Sequence, residues 1–305
     1  MNVLSLFDGM SCGQIALKKI GLKVENYFAS EIKEHAKKVT QYNYPNTIQL
    51  GNVRDISFEN GVLKSEDGLY KVSCIDLLMG GSPCQDLSRG NKNIAGLEGQ
   101  KSGLFYEYLR LLKEINPKYF LLENVKMKKE SETKISEYLG VKPILIDSKL
   151  VSARLRKRLY WTNIPNVTQP RDKEIKLQDI LEHGYTDRDK ARCLLESDSR
   201  PLITPIKMFH RYFSTGFTTL IFKNKEHYEK CKKHYNENFK GLSAKEIFYD
   251  GNIYDGVRYL TKIERERIQT LPRGYCNILK NNEAACVCGD GWTVDVISHI
   301  LSGIN

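Results

Sequence analysis

No apolar run in this chain of 305 residues approaches the roughly 18 residues a helix needs to cross a bilayer. Met1-Asn2-Val3-Leu4 enters an apolar strand directly, with no charged leader. The expectation is a cytoplasmic protein with no membrane partner. Eight cysteines in a chain of this size do not make a disulfide framework and are expected as thiols in a reducing compartment. A Cys-x2-Cys half-site is also missing. His227-x3-Cys231-x2-His234, and Cys276 with Cys286-Val287-Cys288, carry only fragments of a zinc pattern, so no metal is expected. Acid is in deficit: 47 Lys and Arg against 37 Asp and Glu give a net charge of +10. That balance suits a polyanionic partner and predicts salt-sensitive binding, although many basic proteins bind no nucleic acid.

Residues 1 to about 163 alternate apolar strands with helical segments, the pattern of a doubly wound, mostly parallel α/β sheet. Val3 to Phe7 reads as the first strand, and the helix that follows stops at Gly21, a C-terminal cap. Val24 to Ala29 reads as the second strand and leads to Glu31, where nucleotide-binding folds place a carboxylate for ribose hydroxyls. Gly103 to Ile115 is amphipathic and ends before Pro117. Between Pro165 and Tyr254 the rhythm is lost, and it returns from Gly256. The expected organisation is a catalytic domain over 1–164 and 256–305, with an insert at 165–255 that reads the substrate. Within the insert, Met208 to Lys225 interleaves aromatics with cations. That is either a nucleic-acid surface or a small core with lysines around it.

The chemistry concentrates at three places. In Gly80-Gly81-Ser82-Pro83-Cys84-Gln85 a thiol follows a buried strand, where an open sheet offers a ligand crevice. Read alone, Cys84 is equally a structural thiol in a turn. Phe120-Leu121-Leu122-Glu123-Asn124-Val125 ends a second apolar run in a carboxylate. Arg154 to Trp161 alternates charged and apolar residues at strand period, so Arg154, Arg156 and Arg158 are expected on one face. A solvated edge strand and an ordinary helix-start carboxylate are the plainer readings of these last two.

In order, Phe7-Asp8-Gly9-Met10-Ser11-Cys12-Gly13, Ser30-Glu31, Gly51-Asn52-Val53, Pro83-Cys84-Gln85, Glu123-Asn124-Val125, Arg156-Lys157-Arg158, Arg258 to Glu264 and Gly289-Asp290-Gly291-Trp292 resemble the motif set of the cytosine-C5 DNA methyltransferases. The wording is most similar to the catalytic domains of animal de novo enzymes, and the short chain to bacterial or phage enzymes. The resemblance implies a Rossmann-like S-adenosylmethionine-dependent methyltransferase fold with a small inserted target-recognition domain. It implies a monomer acting on double-stranded DNA, with S-adenosylmethionine as donor, S-adenosylhomocysteine as product and no metal.

It also implies roles. Cys84 is the nucleophile and Glu123 the acid that holds a ring nitrogen of the target base. Arg156 and Arg158 supply a cationic field that favours the thiolate. Phe7, Asp8, Gly9, Ser11, Cys12, Gly13, Glu31, Ile32, Asn52, Val53, Pro83, Leu104, Asp290, Gly291 and Trp292 hold the cofactor. Pro83, Ser88 and Asn124 contact the substrate, and the 86–101 loop is a lid that orders on DNA. The chain departs from the common pattern at Asn52, where aspartate is usual, and at Arg154, where many bacterial members carry glutamine. Methylation of cytosine in transfer RNA, and a non-catalytic regulatory paralogue, are the alternatives. The paralogue reading has to explain why Cys84 and Glu123 are both present.

Overall fold

The structure is a computed structural model that describes residues 1–83, 103–192, 194, 205–243, 246 and 251–304. Cys84, Ser88 and the expected lid over 86–101 lie outside the described residues. Two compact units are present: 1–147 with 157–171 and 291–305, and 148–156 with 172–290. The division differs from the expected one at 148–156 and 256–290, which pack in the second unit, and at 165–171, which packs in the first. For 256–290 the reason is physical: Arg258 donates to the carbonyl of His183, and Glu264 accepts from the backbone N–H of Glu182.

The first unit carries all ten strands found among the described residues: β1 (Asn2–Leu6), β2 (Asn26–Ser30), β3 (Ile48–Gln49), β4 (Ser57–Glu59), β5 (Val62–Ser65), β6 (Gly68–Lys71), β7 (Leu77–Gly80), β8 (Tyr119–Val125), β9 (Ile144–Asp147) and β10 (Lys157–Thr162). Seven form one sheet in the order β3-β2-β1-β7-β8-β10-β9, while β4, β5 and β6 form a small antiparallel sheet. β3, β2, β1, β7 and β8 run parallel, and β10 is antiparallel to both of its neighbours. Every residue of β1 and β7 is buried. Strands covered on both faces need such unbroken apolar runs, and only parallel sheets bury strands so completely. The order of the strands reverses between β1 and β7, so the crevice beyond their carboxyl ends is where this architecture binds ligands.

Helices α1 (Cys12–Lys19), α2 (Glu34–Asn43), α3 (Leu104–Ile115) and α4 (Lys129–Leu139) belong to this unit. Beyond α1, Gly21 adopts φ +75, the left-handed cap that glycine supplies without strain. The last helix, α9 (Val294–Leu301), packs against α1, and Lys19 pairs with its Asp295. The chain thus returns to the first unit, as the sequence predicts.

The second unit holds α5 (Pro205–His210), α6 (Lys225–Asn238), α7 (Lys262–Ile268) and α8 (Asn281–Asp290). Its core is aromatic: Phe209, Tyr212, Phe222, Tyr228, Tyr235 and Tyr254 are buried together. The aromatics of the stretch at 208–225, Phe217 excepted, therefore belong to the core, while Lys223 and Lys225 are exposed. His227 and His234 bond to the carbonyl of Ile253 and the hydroxyl of Tyr254. No described helix is long and apolar enough to cross a membrane.

Candidate active site

Glu123 lies near the carboxyl end of β8, and its side chain is buried. β10 fixes one side of it. Tyr160 stands opposite Glu123 in the ladder and Arg158 opposite Val125, so Arg158 reaches Glu123 along the diagonal of an antiparallel pair. Its Nε lies 2.9 Å from Glu123 Oε1. The other oxygen, Oε2, accepts the indole N–H of Trp292 at 3.2 Å. A carboxyl gripped by a guanidinium and an indole has a fixed direction, as a group that must meet one ring nitrogen requires.

The loop after β7 is packed onto that carboxyl. A Cβ on Gly81 would stand 3.0 Å from both Glu123 Oε2 and Trp292 Nε1, and one on Gly80 would meet the Leu6 carbonyl at 2.9 Å. The paired glycines admit the adjoining strand β1 and the Glu123 and Trp292 side chains. Asn124 donates to Ser82 Oγ at 3.1 Å and accepts from the N–H of Val125. Asn124, expected at the substrate, instead pins the residue before Pro83 and so fixes where the chain departs toward position 84.

The arginines separate. Only Arg158 lies on β10. Arg154 is fully buried and donates to Gln269 Oε1 at 2.6 Å, and Gln269 in turn reaches the Cys288 carbonyl. Arg156 donates to the carbonyls of Gly289 and Asp290, at 3.1 and 3.3 Å. The expectation of one shared face fails because 148–156 turns away from strand geometry: Arg154 bridges Ala191 within the second unit. Arg156 and Asp290 meet through the last carbonyls of α8, where a cation complements the helix dipole.

The loop from β1 to α1 is unusual in its backbone. Phe7, Gly9 and Ser11 have φ of +57, +60 and +58. For a bulky residue such as Phe7 this conformation is strained, and such strain gathers at ligand clamps. Among the described residues, no atom beyond Gly9 and its chain neighbours lies within 4 Å of where a Gly9 Cβ would stand, so the described loop is open at that point. The N–H of Gly9 donates to Glu31 Oε2 at 2.8 Å, while Glu31 Oε1 accepts from Ile32 and Lys33. Beside this fixed carboxylate, Ile32 shows 68 % of its surface to solvent. Asn52 Oδ1 accepts from Arg54 N–H, and Val53 behind it is buried. An anchored carboxylate, an open glycine, an exposed aliphatic face and an amide together fit a nucleoside with a charged tail.

Not all of the expected cofactor residues face that cradle. Gly13 lacks a Cβ because Met79 and the Tyr27 hydroxyl fill the space. Cys12 is buried at the start of α1, and Leu104 opens α3. Asp8 turns inward, where it accepts from the hydroxyls of Ser11 and Tyr27. Burial raises its carboxyl to about 6, against the lowering effect of those hydrogen bonds. Two residues escape sequence reasoning. Tyr27 is hidden in a strand of apolar appearance. Arg110 looks like a surface ion pair, lying three residues after Glu107 and four before Glu114, yet it also grips the carbonyls of Val53 and Ile56.

A family model described as C-5 cytosine-specific DNA methylase matches residues 1–141. The orphan methyltransferase M.SPRI of Bacillus phage SPR is 30 % identical over 201 residues, 60 % of this chain and 43 % of that protein. The DNA (cytosine-5)-methyltransferase DRM2 of Arabidopsis thaliana is 35 % identical over 118 residues, 38 % of this chain and 19 % of the relative. The matches span less than half the length of these curated relatives. A crystal structure of a Spodoptera frugiperda DNMT2 mutant shares the fold with a TM-score of 0.65 at 19 % identity, covering 99 % of this chain and 98 % of its own.

Proposed function

We propose that the chain is a DNA (cytosine-5-)-methyltransferase, a reading supported by the match of residues 1–141 to the C-5 cytosine-specific DNA methylase family model. The observation that carries the proposal is the Glu123 carboxyl, held by Arg158 and Trp292 against the loop that leads to Cys84. S-adenosylmethionine, when bound, supplies an electrophilic methyl group. Phe7, Gly9, Ser11, Glu31, Ile32, Asn52 and Val53 would hold it. Ser88 and Pro83 remain proposed contacts of the nucleotide or donor, and Asp290 and Gly291 of the donor.

Carbon 5 of cytosine is a poor nucleophile. The Cys84 sulfur adds to carbon 6, and the electrons of the 5,6 double bond become available at carbon 5. Glu123 meets ring nitrogen 3, between carbons 2 and 4, with a hydrogen bond and withdraws charge as the adduct forms. Arg158 keeps that carboxyl in line. Once carbon 5 carries the methyl group the donor would supply, its proton leaves to water, the electrons of that carbon–hydrogen bond re-form the 5,6 double bond, and the carbon–sulfur bond breaks, which returns the Cys84 thiolate. None of this is accessible inside a stacked duplex, so the target base is extruded into the crevice. Residues 165–255 would supply the DNA-reading part, most of them in the second unit.

The test is transfer of labelled methyl groups to unmethylated genomic DNA by wild type and Cys84→Ala, with bisulfite sequencing of the product. Methylation by the wild type that vanishes in the variant is expected. Transfer to RNA alone would overturn the DNA substrate, and transfer that survives in Cys84→Ala would overturn the covalent route.

A further inference from the structure

Phe217 shows 67 % of its surface to solvent, whereas Thr218 and Thr219 beside it are buried. A lone exposed phenylalanine is ordinary in a folded protein. What surrounds this one is not. One guanidinium clamps both of its neighbours: Arg188 Nη1 donates to the carbonyls of Gly216 and Thr218, at 3.0 and 2.6 Å. The same group donates to the Tyr212 carbonyl and lies 4.0 Å above the Tyr212 ring. Gly216 takes φ +67, and the Thr219 hydroxyl accepts the N–H of Arg192. The turn that carries Phe217 is thus bound at both ends and cannot fold the ring back onto the core. Immediately before it, Arg211–Thr215 forms a single π-helical turn, a rare element that is frequent at functional sites.

The surroundings are cationic. The Arg192 and Arg188 guanidinium nitrogens lie 3.7 and 3.9 Å from where a Gly216 Cβ would stand. Both line an open cavity of about 350 Å³ with Leu155, Asp189 and Lys190. An exposed aromatic ring on a turn whose preceding residue, Gly216, lies beside two guanidinium groups matches a stacked base next to its phosphate. It matches an apolar protein face poorly, because such a face would have to bury the arginines.

We infer that Phe217 is a DNA contact that inserts against a base of the duplex while Arg192 meets the adjoining phosphate. The inference rests on the DNA reading above and names a residue that reading does not supply. The backbone of the turn is held before DNA arrives, so less conformational freedom is lost when the ring stacks. Such a contact steadies the unstacked step that extruding a base creates.

The experiment uses the full chain with Phe217→Ala, Phe217→Leu and Phe217→Trp, assayed on the same genomic DNA. Phe217→Ala should raise the KM for DNA roughly tenfold, the effect of losing one stacked base, with the KM for S-adenosylmethionine and the melting temperature unchanged. Phe217→Leu should stay impaired, and Phe217→Trp should restore binding. Fluorescence of Phe217→Trp should be quenched by duplex DNA beyond any change in the wild type, and not by inorganic polyphosphate. A KM for DNA in Phe217→Ala equal to that of wild type, an unquenched Phe217→Trp, or a loss explained by a lower melting temperature would overturn the inference and leave the enzyme reading intact. A wild type that transfers no methyl group to DNA would end both. Concentration-dependent mass in sedimentation, present in wild type and absent in Phe217→Ala, would give the ring to a second copy of the chain instead.

Discussion

Trp292 touches Glu123 through a single N–H, which makes the contribution of that contact separable from the ring's other work. Phenylalanine keeps the aromatic face and removes the donor. A hydrogen bond to a charged partner contributes about 1.5–3 kcal/mol, so Trp292→Phe should lower kcat by about 10- to 100-fold. Affinity for S-adenosylmethionine, read by calorimetry, should change little. A loss of affinity at unchanged kcat would return Trp292 to the cofactor alone. Asp8 makes a different kind of prediction. Its buried carboxyl is raised from an ordinary 3.8 to about 6, so the folded state prefers the protonated form. The stability this confers is complete below pH 3.8 and is lost as pH rises through about 6. At 1.36 kcal/mol per unit the loss approaches about 3 kcal/mol. Asp8→Asn cannot ionise. The difference in unfolding free energy between wild type and Asp8→Asn should therefore shift in favour of the variant between pH 4 and 7, and a difference independent of pH would refute the assignment.

The elements show why some motifs are catalytic in appearance and structural in fact. Thr261 caps α7 in a reciprocal box with Glu264, and Glu264 takes both Nη1 and Nη2 of Arg258 at 2.7 and 2.8 Å. Burial pushes the Glu264 carboxyl up, but the Arg258 charge and the N–H groups of Thr261 and Glu182 outweigh it and hold the carboxyl low. Its stabilising effect is present above the ordinary carboxylate range and fades as pH falls below it. Glu264→Gln should cost about 3 kcal/mol, the scale for breaking a buried ion pair, seen as a lower urea midpoint at pH 7 that converges with wild type in acid. The Arg258–Glu264 motif was legible as sequence, its purpose was not, because a cap and a site carboxylate look alike without partners. The strands were legible for a clearer reason: β1, β7 and β8 are largely buried on both faces and are built on short apolar runs. The arginines misled because alternation over Arg154–Trp161 has strand period from end to end, while the ladder begins only at Lys157. Arg154 and Arg156 hold backbone carbonyls and an amide elsewhere, partners that leave no trace in the local pattern. Glu123 was read from its place at the end of an apolar run; its hold on Trp292, 169 residues away in sequence, was beyond any local reading.

At the scale of the whole molecule, charge separates the two ligands the chain is proposed to bind. The net charge is +10, and Lys223, Lys225, Lys230, Lys232, Lys233 and Lys240 on or beside α6 are exposed. Duplex DNA carries a condensed layer of counterions that a cationic surface releases. If about six phosphates are neutralised, the logarithm of affinity falls with the logarithm of salt at a slope of about −5. Raising salt from about 50 to 200 mM then weakens DNA binding roughly a thousandfold. The cofactor cradle depends on short contacts from Gly9, Glu31 and Asn52, and it releases no such layer. The KM for S-adenosylmethionine should stay nearly flat over the same range while the KM for DNA climbs. Parallel salt dependence of the two would mean that ionic strength acts on the fold rather than on the DNA surface, and a flat KM for DNA would take the basic surface out of substrate binding.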